Sequence, residues 1–388
     1  MTSSFRAPMI GAHRAATRRA GVASLVLAAI GACAAEGRTA SDSRSRAGPG
    51  DAALTAAAPM RAARAMHSAT RLLDGRILIV GGGTPEEAVG LAEILDAGGR
   101  PLLVVPTRVA RLGHTATLLP SGKVLIVGGG YGSAASARSA ELFDPATNAF
   151  GETGGPSVAR SDHAAVLLTD GSVLVIGGDV SGVGATPSAS AEIYDPSTGA
   201  FRATGSMTSP RRPSGVVRLR DGQVLVTGGA TTGKRVLATA ELYDPRTGRF
   251  VRTGDMSTPR EKQGAALLAD GRVLIVGGSR GPADADRLRT TELYDPVRGR
   301  FAAGPAMRNA RHKLAVVTVR EGEVLVVGGG PDLAELYRAD RNAFITVPGG
   351  AGVERLFPAA VALADGRVLI SGGYTGGGAR AESWLYGP

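Results

Sequence analysis

Three histidines stand in phase in this chain. His67, His114 and His163 each precede a Gly-Gly pair by fourteen residues, and three imidazoles are a common ligand set for zinc. Ser214, Gln263, Leu314 and Pro358 take that place in four later segments, while His312 falls two residues out of phase, in a loop. A second candidate is "GGATTGK" (Gly228–Lys234), which nearly fits the phosphate loop G-x-x-x-x-G-K-[ST]. A third is a recurring ion pair. Arg64, Arg111, Arg160, Arg211, Arg260, Arg311 and Arg355 each lie seventeen residues before a Gly-Gly pair. A glutamate opens a later segment each time: Glu93, Glu141, Glu192, Glu241, Glu292, Glu335 and Glu382. A planar guanidinium facing a carboxylate can bracket several acceptors at once.

What these residues do depends on the elements that hold them. The Gly-Gly pairs begin at Gly81, Gly128, Gly177, Gly228, Gly277, Gly328 and Gly372, spaced 44 to 51 residues apart. That is the period of solenoids and propellers. Six residues before each pair stands another glycine, preceded by Asp in five of the seven copies. Asp-Gly between two apolar β-branched runs signals a tight hairpin. A third strand follows, often "AELYDP". A turn such as "DPSTGAF" then leads to a fourth strand opening on Phe150, Phe201, Phe250, Phe301 or Phe344. Four antiparallel strands repeated seven times predict an all-β fold, a seven-bladed β-propeller spanning 53–388. The last copy stops after its third strand, "AESWLYGP". "LTAAAPM" (Leu54–Met60) aligns with "FRATGSM" (Phe201–Met207). The N-terminal strand is therefore expected to complete the last blade and close the ring.

This frame disposes of the phosphate loop. Gly228 belongs to the fourth of seven equivalent turns, and residue 235 is Arg where Ser or Thr must reach magnesium. The following "VLATAELYDP" alternates as a strand, whereas a phosphate cradle needs a helix N-terminus.

Strand, Gly-Gly, "Y-D-P", an aromatic and then "R-x-x-H" or a variant together resemble the kelch motif, across essentially all of residues 53–388. The motif's usual tryptophan is replaced by Phe, and Trp384, the only tryptophan, aligns with Tyr243 and Tyr294 in the third strand. These aromatics are expected to pack between blades. The resemblance also implies that the histidines fan apart around the channel, so no metal and no cofactor is expected. Among enzymes of this fold, a galactose-oxidase-like copper radical site needs a cysteine cross-linked to tyrosine, and no cysteine lies within the propeller. A propeller similar to the sialic-acid mutarotases needs only Arg, Glu and a central pocket. It stands as the alternative: a small-sugar enzyme acting on an anionic saccharide in the channel.

Because the Arg–Glu pairs occur in every copy, they are expected to be structural brackets at blade junctions, and function should lie where the copies differ. Arg108, Arg212, Lys262, Arg308, His312 and Lys313 stand at positions that vary among the copies, in loops between a fourth and a first strand. They are expected to form a basic rim for a protein or glycan partner, an anionic one included. The net charge of +10 includes Arg6, Arg14, Arg18 and Arg19, which lie ahead of the fold. No basic–aromatic stripe supports nucleic-acid binding, and a monomer is expected. Residues 1–32, with "GVASLVLAAIGA" ending at the sole cysteine, Cys33, read as a lipoprotein signal peptide. Cys33 is the expected lipidation site and residues 33–52 a flexible tether. The expected location is the bacterial outer membrane, periplasmic or at the cell surface, with the lipid anchor as the only membrane contact. The expected function is that of an envelope-anchored binding module recognising its partner on the loop face.

Overall fold

The computed structural model describes residues 52–84, 87–130, 134–180, 186–281, 286–320, 322–350 and 352–387. The segment read as signal peptide, Cys33 and most of the tether lies outside them. Seven four-stranded antiparallel sheets follow one another along the chain. Blade 1 comprises Ser68–Arg71, Ile77–Val80, Leu91–Leu95 and Pro101–Pro106. Blades 2 to 6 repeat the order, their first strands starting at Thr115, Ala164, Gly215, Gly264 and Ala315. Each first strand touches the first strands of the blades before and after it, so these seven strands surround the axis.

Blade 7 is made from both ends of the chain. Ala359–Ala362, Val368–Ser371 and Ser383–Gly387 are joined by Ala53–Ala57, with Leu54 opposite Tyr386. The expected closure is what forms. Second strands such as Val173–Ile176 are buried at every residue, because each has a blade on either face. Their continuous runs of Val, Ile and Leu are the sequence form of that burial. The core is accordingly a set of layers between neighbouring blades. One such layer packs Leu174, Ile176 and Ile193 of blade 3 against Val216, Val226 and Tyr243 of blade 4.

The aromatic signature works within those layers. Phe143–Phe150, Tyr194–Phe201, Tyr243–Phe250, Tyr294–Phe301 and Tyr337–Phe344 pair across the third and fourth strands, with ring centroids 4.8–5.3 Å apart. Such tilted pairs add to area burial. Tyr194, Tyr243 and Tyr294 also meet Thr153, Thr204 and Thr253 of the preceding blade through their hydroxyls, at 2.8–2.9 Å.

The Gly-Gly turn is where the ring is tied. The second glycine of each blade donates its N–H to the carbonyl of the repeated arginine in the next blade, at 2.7–3.0 Å in all seven cases, Gly373 to Arg64 included. The first glycine comes closer still. A Cβ on Gly228 would lie 2.4 Å from the Arg260 carbonyl oxygen, and its φ of +59° is itself disfavoured for other residues.

Candidate functional site

Two kinds of loop meet on one end of the ring: the turns after each Gly-Gly pair, and the crossovers carrying the chain from one blade's fourth strand to the next blade's first. The repeated arginine fixes both. In blade 4, Arg211 donates to the carbonyls of Gly228 and Thr239 at 3.1 and 2.9 Å, and to Glu241 at 2.7 Å. Glu241 also accepts the N–H of Thr208 in the crossover. Equivalent buried pairs form at Arg64–Glu93, Arg111–Glu141, Arg160–Glu192, Arg260–Glu292 and Arg311–Glu335, at 2.8–3.2 Å. Burial pulls Arg64, Arg111, Arg160, Arg211 and Arg260 below the ordinary guanidinium value, and the facing glutamate restores part of it. Because each glutamate also accepts a backbone N–H at the start of its crossover, these six pairs hold the crossover down.

The seventh pair does not close. Register puts Tyr386 opposite Val368, as Tyr243 is opposite Val224, and Trp384 opposite Ile370, as Glu241 is opposite Val226. Trp384 therefore stands in the bracket-glutamate position, not in that of Tyr243 and Tyr294. Glu382 lies two residues earlier, where blade 4 has Thr239. The expectation for Glu382 is corrected on this ground: it is half exposed and 3.8 Å from Arg355. The Arg355 guanidinium instead sits 5.1 Å from the centroid of the Trp384 ring.

The histidines lie beside the axis and are fully buried. His67 Nε2 is 2.8 Å from Ser371 Oγ; His114 and His163 are 2.9 Å from Ser68 Oγ and Thr115 Oγ1. Each partner belongs to the preceding blade, and each ring edge lies against that blade's first glycine. Burial, then the neighbouring arginines, lowers all three pKa values to about 3, so the rings are neutral. Among the described residues no three His, Cys, Asp or Glu side chains gather as a metal site.

Two residues after each repeated arginine the backbone turns inward over the axis. Met66, Gly113, Asp162, Lys262, Lys313 and Phe357 all have φ between 52° and 67°. The Asp162 N–H donates to the Gly113 carbonyl, Lys313 to Lys262, Phe357 to Lys313 and Met66 to Phe357. In blade 4 the position is Pro213, which has no N–H and a fixed negative φ. There the Ser214 hydroxyl accepts the Lys262 N–H instead. This crown fills the axis at the loop end, since Met66, Asp162, Lys262, Lys313 and Phe357 are all buried. Left-handed non-glycine residues in such numbers mark a site that the surrounding structure over-determines.

The crown has two halves. Ala65, Met66, Leu112 and Phe357, from blades 1, 2 and 7, form an apolar cluster with Leu356 and Tyr374 packed on it. Across the axis blades 3 to 6 contribute Asp162, Asp179, Arg212, Glu261, Lys262, His312 and Lys313. Arg212 is 2.8 Å from Asp179. Burial opposes its charge, but Asp179, Asp162 and Glu261 outweigh that and hold its pKa above the ordinary value. The Lys313 ammonium lies 5.1 Å from the Phe357 ring and joins the halves.

The six residues expected on a basic rim thus fall in two places. Arg212, Lys262, His312 and Lys313 belong to the crown, with His312 fully buried. Arg108 and Arg308 sit at the outer start of their crossovers, where Arg108 pairs with Glu152 and the exposed Arg308 gives its N–H to Glu335. The acidic half of the crown had no sequence signal, because Asp162 and Glu261 occur once each at their positions. Hollows of about 240 and 300 Å³ lie off the axis, the larger beside Arg108 and Phe150.

A kelch motif matches residues 160–208, which is the third blade from its bracket arginine to the next crossover. No curated protein matches the chain. Among solved structures, a fungal alcohol oxidase of the AA5 family in complex with copper is similar, with a TM-score of 0.68 and 16% identity. The match covers 86% of this chain and 75% of that one. At that identity the likeness is one of fold. The chain is a seven-bladed β-propeller of four-stranded, kelch-like blades, with a kelch motif matched in the third.

Proposed function

We propose that this propeller is a binding module of the bacterial envelope, exported and held by a lipid on Cys33, which recognises an anionic protein or glycan partner on its loop face. One observation carries the reading: the scaffold residues of that face repeat from blade to blade, while the crown varies around the ring, with Met66, Gly113, Asp162, Pro213 and Phe357 at one equivalent position and lysine at it only in blades 5 and 6. Repetition is what a ring needs for closure, and difference is what a partner can read. The loop tips add exposed cations, Lys234 and Arg235 in blade 4 and Arg308 ahead of blade 6. Complementary charge of this kind steers encounter and fixes orientation. The place of the first described strand supports it. Ala53 pairs with Gly387 at the turn end of blade 7, so an anchored chain enters on the face opposite the loops and leaves the loop face turned outward.

The test uses the full chain, an acidic polysaccharide such as polygalacturonate, a neutral one such as dextran, and cross-linkers placed at residue 234. Saturable binding of the acidic polymer, or a specific cross-linked envelope partner, is expected. Replacing Lys234 and Arg308 together by Glu should weaken that binding about tenfold or more, equivalent to roughly 1.4 kcal/mol. Arg246→Glu, on the exposed turn of the opposite face, should leave it unchanged. Equal loss from both changes, or no partner in either assay, sinks the reading.

A further inference from the structure

The seventh blade departs from the scaffold at one point, and that departure has the form of a ligand site. In six blades the repeated arginine is neutralised by a buried glutamate. In blade 7 the equivalent position is Trp384, and Arg355 is left with one hydrogen bond from Nη1 to the neighbouring Glu354 carbonyl. Its Nε is buried with no hydrogen-bond partner, although the residue is only 8% exposed. A buried guanidinium with so few acceptors is costly unless something else supplies charge. The nearest carboxylate, Glu382, stays 3.8 Å away and points largely to solvent. Arg380, whose Nε donates to Thr375 in the same hairpin, adds a second positive charge.

The surroundings explain both the departure and the room for a ligand. The crossover into blade 7 carries Gly349 and Gly350, which lie directly against Leu54 and Leu333. The chain is thereby drawn toward the N-terminal strand, and among the described residues the Glu382 carboxylate accepts no backbone N–H. Beyond it, Gly376 and Gly378 of the Tyr374–Ala379 hairpin, and Gly352 of the crossover, have open space where a side chain would project.

We infer that Arg355, with Arg380 and the Trp384 ring beside it, binds the carboxylate of an anionic sugar, which takes the role that a glutamate plays in the other six blades. The planar fork of arginine suits a planar carboxylate, and an indole beside it suits the apolar face of a sugar ring. In the free protein Glu382 is the competing internal anion. This inference rests on the loop-face binding reading and narrows it to one blade and one ligand class.

Trp384 is the only tryptophan, so fluorescence of the full chain excited at the red edge, where the seven tyrosines do not absorb, reports on this site. Sodium glucuronate, glucose and sodium phosphate would be titrated at constant ionic strength. A saturable change with glucuronate, absent with glucose and weaker with phosphate, is expected. Arg355→Gln should abolish it, and Glu382→Gln should tighten apparent affinity roughly three- to tenfold by removing the competitor. A response to phosphate as strong as that to glucuronate overturns the sugar-carboxylate assignment. If Arg355→Gln fails to fold, Glu382→Gln decides: unchanged or weaker affinity overturns the site. Absence of any fluorescence change, while polygalacturonate still binds and depends on Lys234 and Arg308, removes this site and leaves the broader reading standing.

Discussion

At His67 the imidazole lies in a closed space between two blades, with Ser371 on Nε2 and the Arg64 guanidinium nearby. His114 and His163 repeat the arrangement with Arg111 and Arg160. A ring there is uncharged because burial, and then a neighbouring cation, both oppose protonation. The sign of the consequence is fixed. Folded pKa values near 3, against about 6.5 in an unfolded chain, mean that the unfolded state takes up protons first. Stability from these residues is complete above about pH 6.5 and falls as pH drops toward 3, by up to about 1.4 kcal/mol per unit for each histidine. The surface aspartates with shifted values, Asp144 and Asp295 among them, are lowered below the usual carboxylate range and so titrate outside the window from pH 6.5 to 5. Urea unfolding across that window should show a steep loss of stability. A chain with all three histidines changed to Gln, the residue already present at 263, should lose most of the slope. An unaltered slope would mean that the acid sensitivity comes from elsewhere.

At the scale of strands and crossovers, the bracket is what makes an irregular segment behave as part of a sheet. Glu241 holds the Thr208 N–H and Arg211 together, and the Arg211–Glu241 pair is fully buried. Glu241→Ala leaves a buried guanidinium without its counter-charge, and should cost about 3–5 kcal/mol by chemical denaturation. Glu382→Ala, in the blade where no bracket closes, should cost less than about 1 kcal/mol. Equal costs would contradict the distinction. The arginine is legible in the sequence because a fixed backbone need, repeated seven times, leaves the same residue seventeen positions before each Gly-Gly pair. Gly-Gly and Asp-Gly are legible for the same reason. Blade 7 misleads because the Ala-Glu of "AESWLYGP" matches that of "AELYDP", which sets Glu382 beside Glu241. The tyrosine of "WLYGP" is the better anchor, since Tyr386 is what pairs with Val368. Four basic residues of the crown, Arg212, Lys262, His312 and Lys313, stand out in the sequence, but its turns do not. The left-handed backbone is imposed by the crossovers on Met66, Asp162, Lys262, Lys313 and Phe357, residues that apart from the two lysines share no chemistry.

For the molecule as a whole, the ring distributes its stability over seven layers but depends on one long-range joint. Ala53–Ala57 pairs along its length with Ser383–Gly387, more than three hundred residues away. Leu54 is buried among Leu333, Leu336 and Tyr386, so the strand also seals the layer between blades 6 and 7. Met60 then packs over Gly372, and the Gly373 N–H reaches the Arg64 carbonyl to finish the circle. A chain beginning at Ala58 would lose the outer strand, bare the edge of Ser383–Gly387 and open one apolar layer to water, a setting that favours edge-to-edge association. Its melting temperature should fall by about 10 °C or more, because the five-residue ladder and the buried Leu54 are lost together. The outer strands of the other blades provide the comparison. Val251→Ala, on the exposed outer strand of blade 4, should shift it by less than about 2 °C. An undiminished melting temperature in the shortened chain would show that six complete blades hold the seventh without its fourth strand. In that case closure is a property of the Gly-Gly and arginine ties around the axis, and the N-terminal strand serves only to lead the chain in from the turn face.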